Sequence, residues 1–241
     1  RDRVIGVGGS ATTDGGHGTA GALGAQFLDD AGRPRAPGGA SLAGLAAIHW
    51  QRPPIVETLE IVVAVDVTNP LVGPRGAAAI YGPQKGATAA HVDALDAALT
   101  RYAAVVRRQL GVEIAVLAGG GAAGGLAAGL VAFLGARLES GFDIVSRVSG
   151  LQERFHAADT VVTGGGSFDA QSGEGKTTGR LLALAKRAEK PAVVFAGVAP
   201  AGSVARTLHS LEPDPAKSMA NAAGLLRSLA RHWASDSHGT S

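Results

Sequence analysis

The amino-acid sequence predicts an α/β fold with a largely parallel sheet. Short β-branched apolar runs alternate along the chain with Ala- and Leu-rich stretches, and clusters of glycine follow several of the apolar runs. This alternation is typical of strand–loop–helix units whose strands are buried on both faces. Hydrophobic residues make up 46% of the 241 residues, which is enough for the core of one large domain or two modest ones.

The apolar runs predict strands at residues 4–7, 61–65, 113–117, 160–163 and 192–196. Helical stretches are predicted at residues 18–27, 89–110, 123–133, 179–189 and 215–233. In the second of these, apolar residues recur at the helical spacing that marks a buried face. A charged segment with fewer glycines, at residues 141–157, indicates a domain boundary near residue 150.

The composition excludes several classes of function. The chain has no cysteine, which rules out disulfides, thiol catalysis and zinc–thiolate sites, and a cytoplasmic location is expected. Its 22 Lys and Arg nearly balance 20 Asp and Glu without a basic cluster, so no nucleic acid or membrane partner is expected. The chain opens at Arg1, without Met and directly in a predicted strand, and we expect its natural start to be missing.

The first candidate loop, residues 6–16, follows the first predicted strand. Its small residues expose backbone N–H groups, its hydroxyls add donors, and Asp14 has a carboxylate that could hold a metal or accept a proton. The alternative is a tight turn in which a side chain caps the next helix. Gly6, Gly8 and Ala11 also match the dinucleotide-binding pattern, which keeps an NAD-dependent protein open.

Two further loops follow predicted strands. Asp66 comes directly after the run at residues 61–65, where its charge must be solvated, paired or metal-bound, although it could also begin a turn before Pro70. The glycine-rich residues 119–125 either present amides to a phosphate or allow close packing of a helix on the sheet. The sequence alone favours neither interpretation.

The fourth loop begins at residue 163 and leads to Lys176. Its end resembles a P-loop, but Ala170 stands where that motif requires its first glycine, so a P-loop is rejected. A lysine near Asp169 in a glycine-rich setting remains, which suits a phosphorylated ligand. A solvated lysine is the alternative.

Taken in order, these segments resemble the bacterial glycerate kinase family of the class I, 2-phosphoglycerate-forming type. The matching stretches are residues 4–16, 21–29, 66–71, 73–78, 81–87, 121–125, 169–171, 175–177 and 219–223. The resemblance implies transfer of the γ-phosphoryl group of ATP, with Mg²⁺, to the hydroxyl of D-glycerate. It also implies a Rossmann-like parallel sheet, incomplete here, in residues 151–241, and an inserted α/β domain over most of residues 1–150.

On this resemblance we predict catalytic roles for Asp14, Asp66, Asp169 and Lys176, with Asp14 and Asp169 as Mg²⁺ ligands. Lys176 would neutralise phosphate, and Arg75 and Lys85 are candidates for the substrate carboxylate. The predicted substrate- and phosphate-binding residues are Gly8, Gly9, Ser10, Thr12, Thr13, Asn69, Arg75, Lys85, Gly164 and Gly166.

Two other classes stay open. An NAD-dependent oxidoreductase would use one of the glycine patterns. A non-catalytic binding protein would descend from such a kinase, because Gly165 stands where the family usually has a glutamate. The sequence also leaves a homo-oligomer open.

Overall fold

The computed structural model describes residues 2–168 and 177–238. The chain divides into two compact units, Arg1–Ile144 and Val145–Ser241. The border between them lies close to residue 150, where the sequence suggested a boundary. That the units correspond to an inserted and a Rossmann-like domain stays a prediction.

Strands and helices are interspersed through the described residues. The strands are β1 (Asp2–Gly6), β2 (Gln26–Leu28), β3 (Ala47–His49), β4 (Glu60–Ala64), β5 (Arg137–Glu139), β6 (Val161–Ser167), β7 (Ala192–Val198) and β8 (Ala205–Thr207). The helices are α1 (His17–Ala22), α2 (Pro54–Glu57), α3 (Ala77–Tyr81), α4 (Ala89–Leu110), α5 (Leu126–Leu134), α6 (Gly141–Val148), α7 (Leu151–Ala157), α8 (Thr177–Arg187), α9 (Pro215–Ala220) and α10 (Ala222–His238).

Each unit contains a parallel sheet, which confirms the predicted α/β fold with parallel strands. In the first unit the strand order is β1-β4-β5, and Gly6 at the end of β1 pairs with Ala64 at the end of β4. A separate antiparallel ribbon joins β2 and β3. In the second unit the order is β6-β7-β8, again parallel. The carboxyl ends of β1 and β4 therefore lie side by side, where α/β proteins place their ligands.

Three predicted elements differ from the structure. The predicted strand at residues 113–117 is wrong, because the Glu113 carboxylate accepts a hydrogen bond from the Ala115 amide and turns the chain locally. The predicted helix at residues 18–27 ends at Ala22, and its last residues belong to β2. The predicted helix at residues 215–233 is two helices, with Asn221 between them in a non-helical conformation.

The core of the first unit is built around α4, whose predicted bounds are confirmed. Its buried face contributes Leu99, Tyr102 and Val106, each fully or almost fully enclosed. The Tyr102 hydroxyl donates to the Gly15 carbonyl at 3.0 Å. The long helix is thereby tied to the segment that follows β1.

In the second unit, β7 supplies most of the buried strand residues. Val193 and Phe195 pack with residues of α10, and the Phe195 ring meets Trp233 edge to face at 6.2 Å between centroids. A second cluster joins Val161 and Phe155 to Ala185 of α8. Among the helices within the described ranges, none has the length and apolar character needed to cross a membrane.

Helix α5 approaches the segment after β1 so closely that only glycine fits. A Cβ added at Gly129 would lie 2.4 Å from the Gly15 carbonyl oxygen and 3.0 Å from the Gly16 Cα. Both neighbours are backbone atoms, which cannot rotate away as a side chain can. The absence of a side chain at Gly129 therefore sets the distance between α5 and the start of α1.

We expect Gly129→Ala to destabilise the protein by about 1–3 kcal/mol, because overpacking outweighs the better helix propensity of alanine. Gly21→Ala is the matched control, since a Cβ at this helical glycine meets nothing within 4 Å. The control should be neutral or gain up to about 1 kcal/mol. Urea unfolding of both variants measures the difference, and equal stabilities would contradict the packing argument.

Candidate functional site

A cavity of about 350 Å³ opens at the carboxyl ends of β1 and β4. We call it the β1–β4 pocket. Its lining residues come from four separate stretches of the first unit: Val7, Gly8, Gly9, Ser10, Ala64, Val65, Asp66, Val67, Tyr81, Gln84, Lys85, Ala122 and Ala123. The predicted residues Gly8, Gly9, Ser10, Asp66 and Lys85 are thus brought together here, and Gly9 has a left-handed backbone (φ +70°).

Lys85 is the cation of this pocket. Its Nζ donates to the Ser10 hydroxyl at 2.9 Å and to the Thr12 carbonyl oxygen at 2.5 Å. Partial burial lowers the pKa of Lys85, and the negative charge of Asp14 opposes that shift. Because both hydrogen-bond partners are neutral oxygens, neither cancels the charge of the ammonium group. An anion that enters the pocket would therefore find a positive charge already held in place.

Asp14 lies in a different environment. It is only 9% exposed, and its two carboxylate oxygens accept the amides of Gly16 and Gly18 at 3.0 and 3.1 Å. These bonds hold the turn that begins α1, as the capping alternative from the sequence suggested. Asp14 lines a second cavity, of about 410 Å³, which we call the α4 pocket. Its catalytic and metal-binding roles stay predictions.

The α4 pocket lies on the other side of the loop that follows β1. Thr12 and Thr13 line it together with Asp14, and Lys85 lines both pockets. Residues 8–10 therefore face the β1–β4 pocket, whereas residues 11–14 face the α4 pocket. The loop that the sequence predicted as one site therefore forms part of the wall of two different pockets.

Asp66 is exposed and lines the β1–β4 pocket, as expected for a carboxylate directly after a buried strand. Its Oδ1 accepts the Ser140 hydroxyl at 3.2 Å and the Phe142 amide at 3.3 Å. A Cβ at Gly141 would lie 2.7 Å from Oδ2. The carboxylate is thus oriented by the start of α6 while it faces the cavity.

Asn69 and Arg75 lie outside the lining of both pockets. The side-chain amide of Asn69 donates to the Arg75 carbonyl oxygen at 2.9 Å, and its Oδ1 accepts the Tyr81 hydroxyl at 2.8 Å. The side chain of Arg75 is exposed. The geometry gives Asn69 a structural role in this loop, and binding of substrate by either residue stays a prediction.

The glycine-rich turn at residues 119–125 shows the close packing that the sequence left as one of two alternatives. A Cβ at Gly124 would lie 2.0 Å from the Thr12 carbonyl oxygen, and one at Gly121 would lie 2.3 Å from that of Pro70. The Gly15 amide donates to the Gly124 carbonyl at 3.0 Å. Between these glycines, Ala123 adopts φ +54° and lines the β1–β4 pocket.

In the second unit, Gly164 and Gly166 lie within β6 rather than in the loop after it. A Cβ at Gly164 would lie 2.3 Å from the Phe195 carbonyl oxygen, so this glycine permits the approach of β7. Gly164 also lines an apolar cavity of about 540 Å³ between β6, β7 and α10. Asp169 and Lys176 lie outside the described residues.

The described residues do not assemble a metal site by themselves. Mg²⁺ prefers oxygen ligands in octahedral geometry and usually shares them with substrate phosphates. Within residues 2–168 and 177–238, no group of three or more His, Asp or Glu side chains is placed to hold a metal ion. Both oxygens of Asp14 already accept backbone amides.

The residues of the β1–β4 pocket that sequence reasoning missed as site residues include Tyr81, Gln84 and Ala123. Tyr81 and Gln84 precede Lys85 in the stretch at residues 81–87 that carries the family resemblance, and that proximity was the available signal. Ala123 gave no signal, because nothing in an alanine within a glycine run indicates a left-handed backbone.

His17, beside Asp14 in the same turn, is a buried titratable group that the sequence did not single out. It is 3% exposed and packs on Phe27 at 4.1 Å between ring centroids. Its Nδ1 is buried without a hydrogen-bond partner among the residues that the structure describes. Burial lowers the pKa of His17, while the Gly38 backbone and the charge of Asp14 act in the opposite direction.

Parallel sheets, glycine turns at strand ends and a lysine facing a small cavity define the class: an α/β protein with a positively charged pocket at the ends of its strands. The sequence pattern of the glycerate kinase family matches residues 1–236. The chain belongs to the glycerate kinase family.

Individual relatives agree with this assignment. A "Glycerate kinase" of Halalkalibacterium halodurans is 42% identical over 210 residues, which are 87% of this chain and 55% of that protein. The "Glycerate 2-kinase" of Escherichia coli K12 is 46% identical over 195 residues, 80% of this chain and 51% of its own length. The chain therefore spans about half the length of the curated relatives it matches.

A solved structure is also similar. A Salmonella typhimurium LT2 protein described as a glycerate kinase 2 superposes with a TM-score of 0.72 at 40% sequence identity. The match covers 98% of this chain and 65% of that one. The two-domain α/β architecture expected from the sequence agrees with this likeness.

We expect His17 to make the protein less stable at pH 5.5 than at pH 7.5, by at most about 1.4 kcal/mol, the limit for one histidine with an unfolded pKa of 6.5. The folded-state pKa lies below the unfolded value of 6.5, so the unfolded chain binds the extra proton and stability is lost as the pH falls through 6.5. Urea unfolding at both pH values measures the loss.

His17→Leu should remove that part of the pH dependence, because leucine has no proton to bind. His49→Gln, which removes an exposed imidazole, should leave the loss in place. An unchanged pH dependence in His17→Leu would show that the buried imidazole is not its source.

Proposed function

We propose that this chain binds D-glycerate in the β1–β4 pocket and takes part in its ATP-dependent phosphorylation to 2-phosphoglycerate. Membership of the glycerate kinase family and the names of its relatives support the reaction. The observation that carries the site is the Lys85 ammonium group, held by neutral oxygens at the wall of the pocket. The protein would act on small molecules in the cytoplasm.

Lys85 binds the carboxylate of the acid. An ammonium group that contacts a carboxylate makes a charge-assisted hydrogen bond, about twice as strong as a neutral one. The Ser10 hydroxyl lies 2.9 Å from the same Nζ, so it adjoins the expected position of the carboxylate. Gly8 and Gly9 have no side chains that would restrict the approach of the acid to the backbone of this loop.

Asp66 orients the hydroxyl that reacts. Its carboxylate accepts a hydrogen bond from this hydroxyl, and a lone pair of the hydroxyl oxygen attacks the γ-phosphorus of ATP. The bond from this phosphorus to the β–γ bridging oxygen breaks, ADP leaves, and the hydroxyl proton passes to the carboxylate. Positioning and charge neutralisation supply most of the rate in such transfers, so an oriented carboxylate beside a fixed cation suits them.

The nucleotide would be ATP, and Mg²⁺ bound to its phosphates would neutralise the charge on the transferred group. Lys176 would contact the phosphates, and Gly166, where a Cβ would meet nothing within 4 Å, would allow their close approach to the backbone. Asp14 and Asp169 are the candidates for contact with the metal. The family assignment favours this kinase over the NAD-dependent alternative.

The first test is turnover and binding by this chain. We expect ADP formation that depends on D-glycerate, with 2-phosphoglycerate identified by ³¹P NMR, and binding of D-glycerate measured by calorimetry. Binding without turnover would favour the non-catalytic alternative. The absence of both turnover and binding would contradict the proposal for this chain.

Lys85→Met should weaken binding of D-glycerate by about 10- to 100-fold, because the loss of a hydrogen bond to a charged group costs about 1.5–3 kcal/mol. Arg75→Met removes the other candidate for the carboxylate and is the control, since Arg75 is exposed and lies outside the lining of both pockets. Calorimetry with D-glycerate should find the control within about threefold of the parent chain. The opposite ranking would assign the carboxylate to Arg75 instead.

A further inference from the structure

Asn69 is the point at which three walls of the β1–β4 pocket are joined. It lies in the loop after β4, three residues beyond Asp66. Its Oδ1 accepts the Tyr81 hydroxyl at 2.8 Å, its side-chain amide donates to the Arg75 carbonyl, and its own carbonyl accepts the Gly121 amide at 2.9 Å. Asn69 is thus hydrogen-bonded to the end of α3, to its own loop and to the glycine-rich turn.

The contact with Gly121 controls where the wall of the pocket stands. A Cβ at Gly121 would lie 2.3 Å from the Pro70 carbonyl oxygen, so the glycine-rich turn rests directly on the backbone after β4. Ala122 and Ala123, the next two residues, line the pocket. A shift of Asn69 would therefore move this wall relative to Asp66 and Lys85.

Tyr81 is the side chain that holds Asn69 from inside the pocket. It is half-buried, it lines the pocket, and it precedes Lys85 by four residues. Burial raises the pKa of Tyr81, which favours the neutral phenol and keeps the hydroxyl a hydrogen-bond donor. Loss of the hydroxyl would leave Asn69 Oδ1 without its donor while the ring still fills its place.

We propose that Tyr81 is a positioning residue for the acid: through Asn69 it fixes the glycine-rich turn and so the wall formed by Ala122 and Ala123. The proposal rests on the proposed function, since it assigns the β1–β4 pocket to D-glycerate. Tyr81 acts on the acid through the loop after β4, and Lys85 supplies the charge. Small misplacements of binding groups in such sites have large effects on binding and rate.

The test uses the whole 241-residue chain as parent, Tyr81→Phe, Asn69→Ala and the double variant. Calorimetry with D-glycerate should show about fivefold to tenfold weaker binding in Tyr81→Phe. The double variant should bind no more weakly than Asn69→Ala alone, because a residue that acts through Asn69 has nothing left to position once that side chain is gone.

Thr100→Val is the control. It removes a hydroxyl that donates to the Asp96 carbonyl at 2.8 Å on the exposed surface of α4. Its binding should stay within about twofold of the parent. The free energy of unfolding, measured for every variant, separates lost positioning from general loss of stability.

A second measurement does not need the ligand. Hydrogen exchange of the Gly121 amide, which donates to the Asn69 carbonyl, should become about tenfold faster in Tyr81→Phe and stay unchanged in Thr100→Val. It also applies if Asn69→Ala fails to fold.

The outcomes separate the two proposals. If the parent binds D-glycerate and Tyr81→Phe binds it equally well, the role of Tyr81 is overturned and the proposed function stands. If the parent does not bind D-glycerate, the proposed function fails for this chain, and exchange of the Gly121 amide alone decides whether Tyr81 positions the turn. Unchanged exchange of the Gly121 amide in Tyr81→Phe overturns the role of Tyr81. Losses of binding that add up in the double variant show that Tyr81 does not act through Asn69.

Discussion

Two backbone segments in the first unit touch with no side chain between them, and the pocket takes its shape from that contact. The segment after β1 and the segment that leads into α5 meet at Gly124, Gly125 and Gly129. At each of these positions a Cβ would lie within 3.0 Å of backbone atoms of residues 12–16. Overpacking of that kind costs more than a helix gains from alanine, so the glycines decide how closely α5 can dock. The bond from the Gly15 amide to the Gly124 carbonyl then fixes the register of the two segments.

The fixed register gives the loop after β1 two different faces. Residues 8–10 point toward the end of β4, and residues 11–14 toward α4, with Lys85 hydrogen-bonded across the loop to Ser10 and Thr12. A lysine side chain loses about 2 kcal/mol of rotamer entropy when it is held in one place. Here that cost is met during folding, through bonds to neutral oxygens, so it does not recur when a ligand arrives.

The parts of this arrangement that follow local rules could be predicted from the sequence. The bounds of α4 follow from its helical spacing, and the position of Asp66 follows from the five apolar residues before it. The strand predicted at residues 113–117 was wrong, because a buried residue such as Ile114 is compatible both with a strand and with a turn held by Glu113. The network at Asn69 could not be predicted, because residues 69, 81 and 121 are distant in sequence and none of them belongs to a repeating pattern.

Two acidic residues that the sequence predicted to be catalytic show why such a site needs its structure. Asp14 and Asp66 both follow a parallel strand and a short linker, yet Asp14 is buried with both oxygens on backbone amides and Asp66 is exposed at the pocket. A carboxylate already satisfied by amides gives up those bonds when it takes a new partner, and an uncompensated buried amide costs about 1–3 kcal/mol. At the exposed Asp66, water can replace the bonds that Oδ1 accepts from Ser140 and Phe142, so a new partner costs less there. The same residue type after the same kind of element therefore holds a turn in one loop and faces a pocket in the next.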